Sequence, residues 1–111
     1  MDHDFGLKNY KYVIDYVKDD RVKEIYRTLG PFDHFEHYNK DDNIETDRGM
    51  NWDFHTRKSR ALYRGQTNID SHRPDGMGIK IFPNNSVFEG HFDDGKINGW
   101  GRGITSRGEI Y

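Results

Sequence analysis

The sequence predicts a mainly β protein of consecutive antiparallel β-hairpins, preceded by an N-terminal α-helical segment and an extended arm. Three observations support this fold class. Apolar residues near the start recur at helical spacing, the middle of the chain shows no period, and glycines alternate with aromatic residues toward the end. The predicted segments are residues 1–30 (helical), 31–60 (arm) and 61–111 (hairpins).

Residues 7–29 are predicted to be helical because apolar side chains recur there at intervals of three and four. These side chains are Leu7, Tyr10, Ile14, Val17, Val22, Ile25 and Leu29. Gly30 and Pro31 indicate the end of the helical segment. Asp19 and Asp20 favour a break into two helices, with Asp20 as the N-cap of the second. We expect the apolar stripe to pack on the hairpins or on a partner, because nearby acidic residues oppose an anionic membrane surface.

Residues 31–60 combine aromatic residues and histidines with polar runs and show no period. Such a stretch is either disordered or an arm laid on another surface, and its aromatic residues favour the arm because they gain most from docking. The predicted anchors are Phe32, Phe35, Tyr38, Trp52 and Phe54. Trp52 precedes Tyr63 by eleven residues, as Trp100 precedes Tyr111. Residues 51–60 are therefore also predicted to form a degenerate strand that caps the sheet.

The hairpin prediction rests first on residues 88–104. Phe88, Gly90 and Phe92 fall on one face of an extended strand. The stretch Asp93-Asp94-Gly95 suits a tight turn, and a return strand is predicted over residues 96–104. Pro83-Asn84-Asn85 is predicted to form the preceding turn, since proline presets φ and asparagine tolerates the left-handed conformation.

The same pattern repeats with a period of 23 residues, the spacing from Phe88 to Tyr111. The pairs related by this shift are Gly76 and Gly99, Met77 and Trp100, Gly78 and Gly101, and Asn85 and Gly108. A fixed period of this size is typical of repeat architectures.

These residues resemble the MORN repeat, whose usual form is Y-x-G-x-[FW]-x-x-G-x-x-x-G-x-G, followed by a further glycine and the next tyrosine. One copy is filled by Phe88, Gly90, Phe92, Gly95, Gly99, Gly101, Gly108 and Tyr111, with Trp100 between two of its glycines. A poorer copy begins with Tyr63, Gly65, Gly76 and Gly78. In that copy Thr67 replaces the aromatic residue, and its loop to Gly76 is two residues longer. The alternative is a generic glycine-rich β-meander.

Composition restricts the function classes. The chain has 111 residues, enough for one domain, and only 32% of them are hydrophobic. A net charge of -2 gives no reason to expect nucleic acid, and the absence of cysteine excludes disulfides and thiolate chemistry. No apolar run approaches the length of a membrane span, and the acidic start MDHDFG resembles neither a secretory signal nor a basic presequence.

The candidate catalytic and metal-binding residues are weak. His34 and His37, with Asp33 and Glu36, show no helical register, so we expect surface or interface histidines instead of a metal site. No serine lies in a nucleophile elbow, and the glycine pairs lack the context of a phosphate loop. We therefore expect no catalytic residue, no metal, no cofactor and no enzymatic activity.

MORN segments occur in radial-spoke heads, junctophilins, alsin-type proteins and lipid kinases, where they hold assemblies together or contact membranes. The resemblance thus implies a non-enzymatic scaffold, an accessory subunit of a larger multiprotein assembly that uses hairpins and arm for protein–protein contacts. The expected partners are subunits of a cytoskeletal or axonemal complex, or of an organellar membrane complex, and the expected location is intracellular. The alternative is a peripheral membrane module that binds anionic phospholipid headgroups through Lys80, Lys96, Arg102 and Arg107.

Overall fold

The computed structural model describes residues 5–32, 44–45, 51–52 and 61–111. The helices are α1 (Phe5–Tyr16) and α2 (Asp20–Leu29), and the strands are β1 (Ile44–Glu45), β2 (Asn51–Trp52), β3 (Leu62–Asn68), β4 (Pro74–Ile81), β5 (Val87–Asp93) and β6 (Lys96–Ile104). Within these residues, all the strands belong to one antiparallel sheet. The prediction of a mainly β protein with an N-terminal helical segment is confirmed.

The helical segment breaks where the two aspartates predict it, but the N-cap is Asp19 and not Asp20. Asp19 has an extended backbone, and its Oδ1 atom accepts hydrogen bonds from the backbone N–H groups of Arg21 (2.9 Å) and Val22 (3.2 Å). Asp20 is already helical, so its carboxylate cannot cap and instead lies in the first turn, near the positive end of the helix dipole. Gly30 ends α2 as predicted, with φ 76° and its N–H bonded to Tyr26 O.

The strand order is β1-β3-β4-β5-β6, and β2 also pairs with β3. The β4–β5 connection uses the predicted turn, in which Asn85 has a positive φ of 71°. The β5–β6 connection is a two-residue turn through Asp94 and Gly95, with φ of 49° and 85°. Positive φ at both positions gives the backbone twist that fits a tight hairpin. Both predicted turns are therefore confirmed.

The two short strands pair with the edge of β3 that faces away from β4. Ile44 of β1 lies opposite Asn68 of β3, and Trp52 of β2 lies opposite Leu62 of β3. Asn51 and Trp52 thus take the position predicted for a capping strand. Residues 53–60, the remainder of that prediction, lie outside the described residues, as do the predicted anchors Phe35, Tyr38 and Phe54.

The helices cover one face of the sheet, where α1 contacts β4 and α2 contacts β6. The buried residues of this layer are Val13, Val17, Val22 and Tyr26 from the helical segment and Ile79, Ile81, Val87 and Ile104 from the sheet. The apolar stripe of the helices therefore packs on the hairpins, one of the two expectations for it. The apolar stripe of the helices and the apolar face of the sheet form one shared core, as is usual when a helical layer packs on a sheet.

Candidate functional site

A row of four glycines crosses the sheet from β3 to β6. Gly65 pairs with Gly78, Gly78 with Gly90, and Gly90 with Gly101. A Cβ atom at Gly65, Gly90 or Gly101 would collide with backbone atoms of the strand paired beside it. The backbones at this row approach so closely that only glycine fits, which is the packing use of this residue.

Aromatic rings cover this row on the face opposite the helices. A Cβ atom at Gly78 would overlap the ring of Tyr63, and one at Gly101 would lie 2.8 Å from the Cζ atom of Phe88. Phe92 joins the two rings, with centroids 5.2 Å from Tyr63 and 5.7 Å from Phe88, both in edge-to-face geometry. Such pairs are favourable beyond the area they bury. The aromatic cluster therefore packs directly on the backbone of the glycine row.

The Tyr63 hydroxyl is also fixed, since it donates a 2.7 Å hydrogen bond to the backbone carbonyl of Gln66. Buried Gln66 uses its side-chain carbonyl to accept a 2.9 Å bond from the N–H of Met77. These bonds bridge the irregular stretch between Gly65 and Thr67 where the β3–β4 register shifts. These bonds give the Tyr63 hydroxyl and the side-chain carbonyl of Gln66 partners inside the sheet, whereas Thr67 Oγ1 is buried at the same bulge without a hydrogen-bond partner.

The hydrogen bonds of the turns recur with the period of 23 residues. After β4, Phe82 N–H donates to Ser86 O at 2.9 Å, and after β6, Thr105 N–H donates to Glu109 O at 2.8 Å. Each pair in the second turn is the first pair shifted by 23 positions. A second bond of the turn recurs likewise, from Asn85 to Phe82 and from Gly108 to Thr105.

The strand pairing recurs by the same shift. Ile104 bridges to Ile110 as Ile81 pairs with Val87. Gly103 and Tyr111 exchange two hydrogen bonds, of 2.9 and 3.0 Å, at the positions equivalent to Lys80 and Phe88. Residues 110–111 therefore pair with β6 in the same way that residues 87–88 pair with β4.

Beyond this short pairing, the outer edge of β6 is exposed. Residues 96–101 are all exposed, and no described strand pairs with them on that side. Ile97 and Trp100 expose 45% and 37% of their surfaces, and a Cβ atom on Gly99 would meet nothing within 4 Å. We call residues 96–101 the open edge. An exposed strand edge is a place where another strand can pair.

The remaining predicted motif residues lie in turns or opposite aromatic rings. Gly95 and Gly108 are turn residues with positive φ, and Gly76 lies opposite Phe92. Trp100 packs its ring 5.6 Å from that of Phe32. Phe32, predicted as an anchor for a partner, therefore contacts this chain's own sheet, and it also packs on Met77. For Trp52, only the backbone position is described.

A buried polar cluster between α2 and the sheet was not predicted. Glu89 and Arg102 lie opposite each other on β5 and β6, with Glu89 Oε1 3.5 Å from Arg102 Nη2. The Arg102 guanidinium lies between two rings, 5.2 Å from the centroid of Tyr26 and 4.8 Å from that of Phe32. The alternation of Phe88, Gly90 and Phe92 places Glu89 on the opposite face of the strand, where a charged residue suggests exposure, so no sequence signal indicated this cluster.

Arg102 also binds the end of the helix. Its Nη2 group donates to the carbonyl of Gly30, and its Nη1 group lies 3.4 Å from the carbonyl of Leu29. A cation at this end satisfies carbonyls that have no intrahelical partner and opposes the helix dipole. Arg102 therefore fastens α2 to the outermost long strand.

Burial dominates the electrostatics of this cluster. Loss of hydration raises the pKa of Glu89 from 4.5 to about 7, although Tyr26 and Arg102 lower it in part. Burial and the neighbouring Glu89 also raise the pKa of Tyr26, so its hydroxyl stays protonated. The Tyr26 hydroxyl is near enough to lower the pKa of Glu89, but the two groups do not meet the geometry of a regular hydrogen bond. Glu89 Oε2 therefore has no hydrogen-bond partner among the described residues.

This cluster joins α2 to the sheet, and its carboxylate is buried, since Glu89 is 1% exposed. Within the part of the chain that the structure describes, no three His, Asp or Glu side chains are grouped as metal ligands require. His34 and His37 lie outside that part. Neither α1 nor α2, the helices of the described ranges, has the length and apolar character needed to span a bilayer.

No protein-family model matches the chain, and no curated protein or solved structure matches it either.

Proposed function

We propose that this chain is a non-enzymatic scaffold built on MORN-type hairpins, an accessory subunit of a larger multiprotein assembly. The observation that carries the proposal is the 23-residue recurrence of turn and strand hydrogen bonds. In repeat proteins each unit buries its faces against its neighbours. A repeat unit whose outer side is exposed is therefore suited to contact another protein.

The contents of the sheet support a structural role over a catalytic one. Glu89 and Arg102 form an ion pair between β5 and β6, and Arg102 fastens α2 to the sheet. The aromatic cluster of Tyr63, Phe88 and Phe92 is buried and fills the space over the glycine row. These residues are engaged in packing the strands and α2 together, as a structural role requires.

Within the proposed assembly, the arm of residues 31–60 supplies further contacts through its aromatic residues. Phe32 packs on Trp100 and Arg102 of this chain, so the contacts with partners are proposed for the other anchors, Phe35, Tyr38, Trp52 and Phe54. The proposed settings are a cytoskeletal or axonemal complex and an organellar membrane complex, both inside the cell. Nucleic acid is not among the proposed partners, since the net charge is -2.

The lipid-binding alternative has less support. Of its four basic residues, Lys80 is only 5% exposed and Arg102 is held against α2. Lys96 and Arg107 are exposed, but acidic Asp93 and Glu109 lie close to them in sequence and are exposed too. Two solvated cations among acidic neighbours attract an anionic surface weakly.

Two assays together separate the two functions. A tagged copy is purified under native conditions, and the purified chain alone is floated with vesicles of phosphatidylserine or of phosphatidylcholine. The proposal predicts a constant set of co-purifying chains in fixed ratio, and no flotation with either lipid. Flotation with phosphatidylserine alone, together with a tagged chain that purifies without partners, would favour the lipid-binding module.

A further inference from the structure

We propose that Glu89 and Arg102 form a pH-sensitive latch at the end of α2, in which ionisation of Glu89 moves Arg102 away from the helix carbonyls and loosens the helix end. The proposal goes beyond the scaffold function and does not depend on it. It rests on the guanidinium of Arg102, which presents donors to two different acceptors.

One side of the Arg102 guanidinium, formed by Nη1 and Nη2, faces the last carbonyls of α2. Nη2 donates to the carbonyl of Gly30, and Nη1 lies 3.4 Å from the carbonyl of Leu29. The contact with Leu29 is longer than a usual N–H···O hydrogen bond. A small displacement of Arg102 is therefore enough to break it.

A second side of the guanidinium carries Nε and Nη2, and it is incompletely paired with Glu89. Nη2 lies 3.5 Å from Glu89 Oε1, whereas Arg102 Nε and Glu89 Oε2 are both buried and have no hydrogen-bond partner among the described residues. Arginine commonly binds a carboxylate through two parallel hydrogen bonds. A closer approach of the two side chains would shorten the distance from Nη2 to Oε1 to about 2.8 Å and give Nε and Oε2 each other as partners.

The planar shape of the guanidinium links the two contacts. Nη1 is the corner opposite the side formed by Nε and Nη2, so movement of that side toward Glu89 carries Nη1 away from the carbonyl of Leu29. The same movement shifts the guanidinium relative to the ring of Phe32, whose centroid is 4.8 Å away. Residues 31–60 follow this helix end, and the latch therefore determines how firmly the start of the arm is held.

The charge of Glu89 decides which contact is favoured. A carboxylate attracts the guanidinium more strongly than a neutral carboxyl group does, above all in a buried site. Burial raises the pKa of Glu89 to about 7, so the carboxyl group changes its charge near neutral pH. We expect the helix contacts of Arg102 to prevail below this pH and the pairing with Glu89 to prevail above it.

The groups packed around Glu89 leave Arg102 to respond to this charge. Among the described residues, the titratable groups that act on Glu89 are Tyr26 of α2 and Arg102 of β6. On β4, apolar Ile79 lies opposite Glu89. From α1, Tyr10 packs against the ring of Tyr26, with 5.5 Å between the centroids.

The first test follows the Nε proton of Arg102 in the full chain by NMR between about pH 6 and about pH 8, on either side of the pKa of Glu89. We expect a downfield shift as Glu89 ionises, because Nε then donates to Oε2. Glu89→Gln keeps the shape of the side chain and cannot ionise, so it should abolish the shift. A wild-type protein without the shift, or a shift that persists in Glu89→Gln, would overturn the proposal.

The second test measures the end of α2 by amide hydrogen exchange, corrected for the intrinsic effect of pH. The Gly30 N–H is bonded to the carbonyl of Tyr26 at 3.0 Å, and its matched control at the end of α1 is the Val17 N–H, bonded to the carbonyl of Val13 at 2.9 Å. The ratio of protection at Gly30 to that at Val17 should fall by about fivefold over this pH range, as expected for the loss of one hydrogen bond. A constant ratio would assign any change to the stability of the whole fold and contradict the latch.

His91 provides the control for a different titrating group. It lies two residues from Glu89 on the same face of β5 and pairs with Met77, which contacts Phe32. Histidine side chains titrate in the same pH range. His91→Gln should leave both transitions in place. Loss of both transitions in His91→Gln, with their retention in Glu89→Gln, would assign the switch to His91 and overturn the proposal.

Discussion

Gly90 and Gly101 lie directly opposite each other on β5 and β6, and a Cβ atom on Gly101 would lie 2.7 Å from the Cα atom of Gly90. Gly101 also has a φ of 149°, which residues with a side chain rarely adopt. The close pairing at this point keeps β6 in position to present its outer side, so the open edge depends on a residue that carries no side chain.

Gly101→Val is expected to lower the free energy of unfolding by a few kcal/mol, because the branched side chain collides with backbone and requires a strained φ. Gly103→Val is the matched control. From the alignment of Gly103 with Lys80, the sequence indicates that a side chain fits there, but the structure places the Tyr111 ring over it. That ring is exposed and can move, so the cost at Gly103 should be smaller. Equal losses in urea denaturation would contradict the close packing of Gly101.

The contact between Tyr63 and Gly78 can be measured by a double-mutant cycle. Gly78→Ala should destabilise the wild-type protein by more than it destabilises a Tyr63→Ala background, because the ring that the new methyl group meets is then absent. We expect a coupling free energy of about 1 kcal/mol or more. Additive effects of the two substitutions in chemical denaturation would show that the ring does not lie on Gly78.

Stability should depend on pH through Glu89. Because its pKa rises from 4.5 to about 7 on folding, the folded protein keeps a proton that the unfolded chain releases between these values. The contribution of Glu89 to stability is therefore retained below pH 4.5, falls as pH rises to 7, and is constant above it. The complete loss corresponds to roughly 3 kcal/mol.

Glu89→Gln removes this titration and keeps the shape of the side chain. We expect the melting temperature of the variant, relative to that of the wild type, to rise as the pH increases from 5 to about 8, since only the wild type must bury a charge. Attraction to Arg102 offsets part of the difference. If the melting temperature of the variant instead falls relative to that of the wild type over this range, the ion pair with Arg102 contributes more than the burial of the carboxylate costs.

The helix cap gives a direct comparison between neighbouring residues. Asp19→Ala should lower the free energy of unfolding by about 1 kcal/mol, because two backbone N–H groups lose their acceptor. Asp20→Ala should cost less, since the exposed Asp20 side chain only interacts with the helix dipole. Thermal melts of both variants decide the matter, and a larger loss for Asp20→Ala would reverse the assignment of the cap.

Local signals in the sequence predicted most of the regular structure. The helical break, the stop at Gly30 and the turns at Asn85 and Gly95 follow from residue-specific backbone preferences, which act over a few positions. The cap was wrong by one residue because both Asp19 and Asp20 have a suitable side chain and only the backbone conformation chooses between them.

The buried cluster was not predictable in the same way. Arg102 meets Gly30 from 72 positions away, and Glu89 meets Arg102 only after β5 and β6 pair. Their charges suggest surface residues until the packing of α2 is known. The same holds for Phe32, whose contact with Trp100 depends on where the chain leaves the helix. Alternation identifies the faces of a sheet but does not say which helix covers them.

The central claim, that the chain is a subunit of a larger assembly, is tested most directly by velocity sedimentation of native extract containing a tagged copy expressed at its natural level. We predict that the tagged chain sediments with a large particle and remains there through repeated purification. Sedimentation of the whole tagged population as a lone 111-residue chain would contradict the claim.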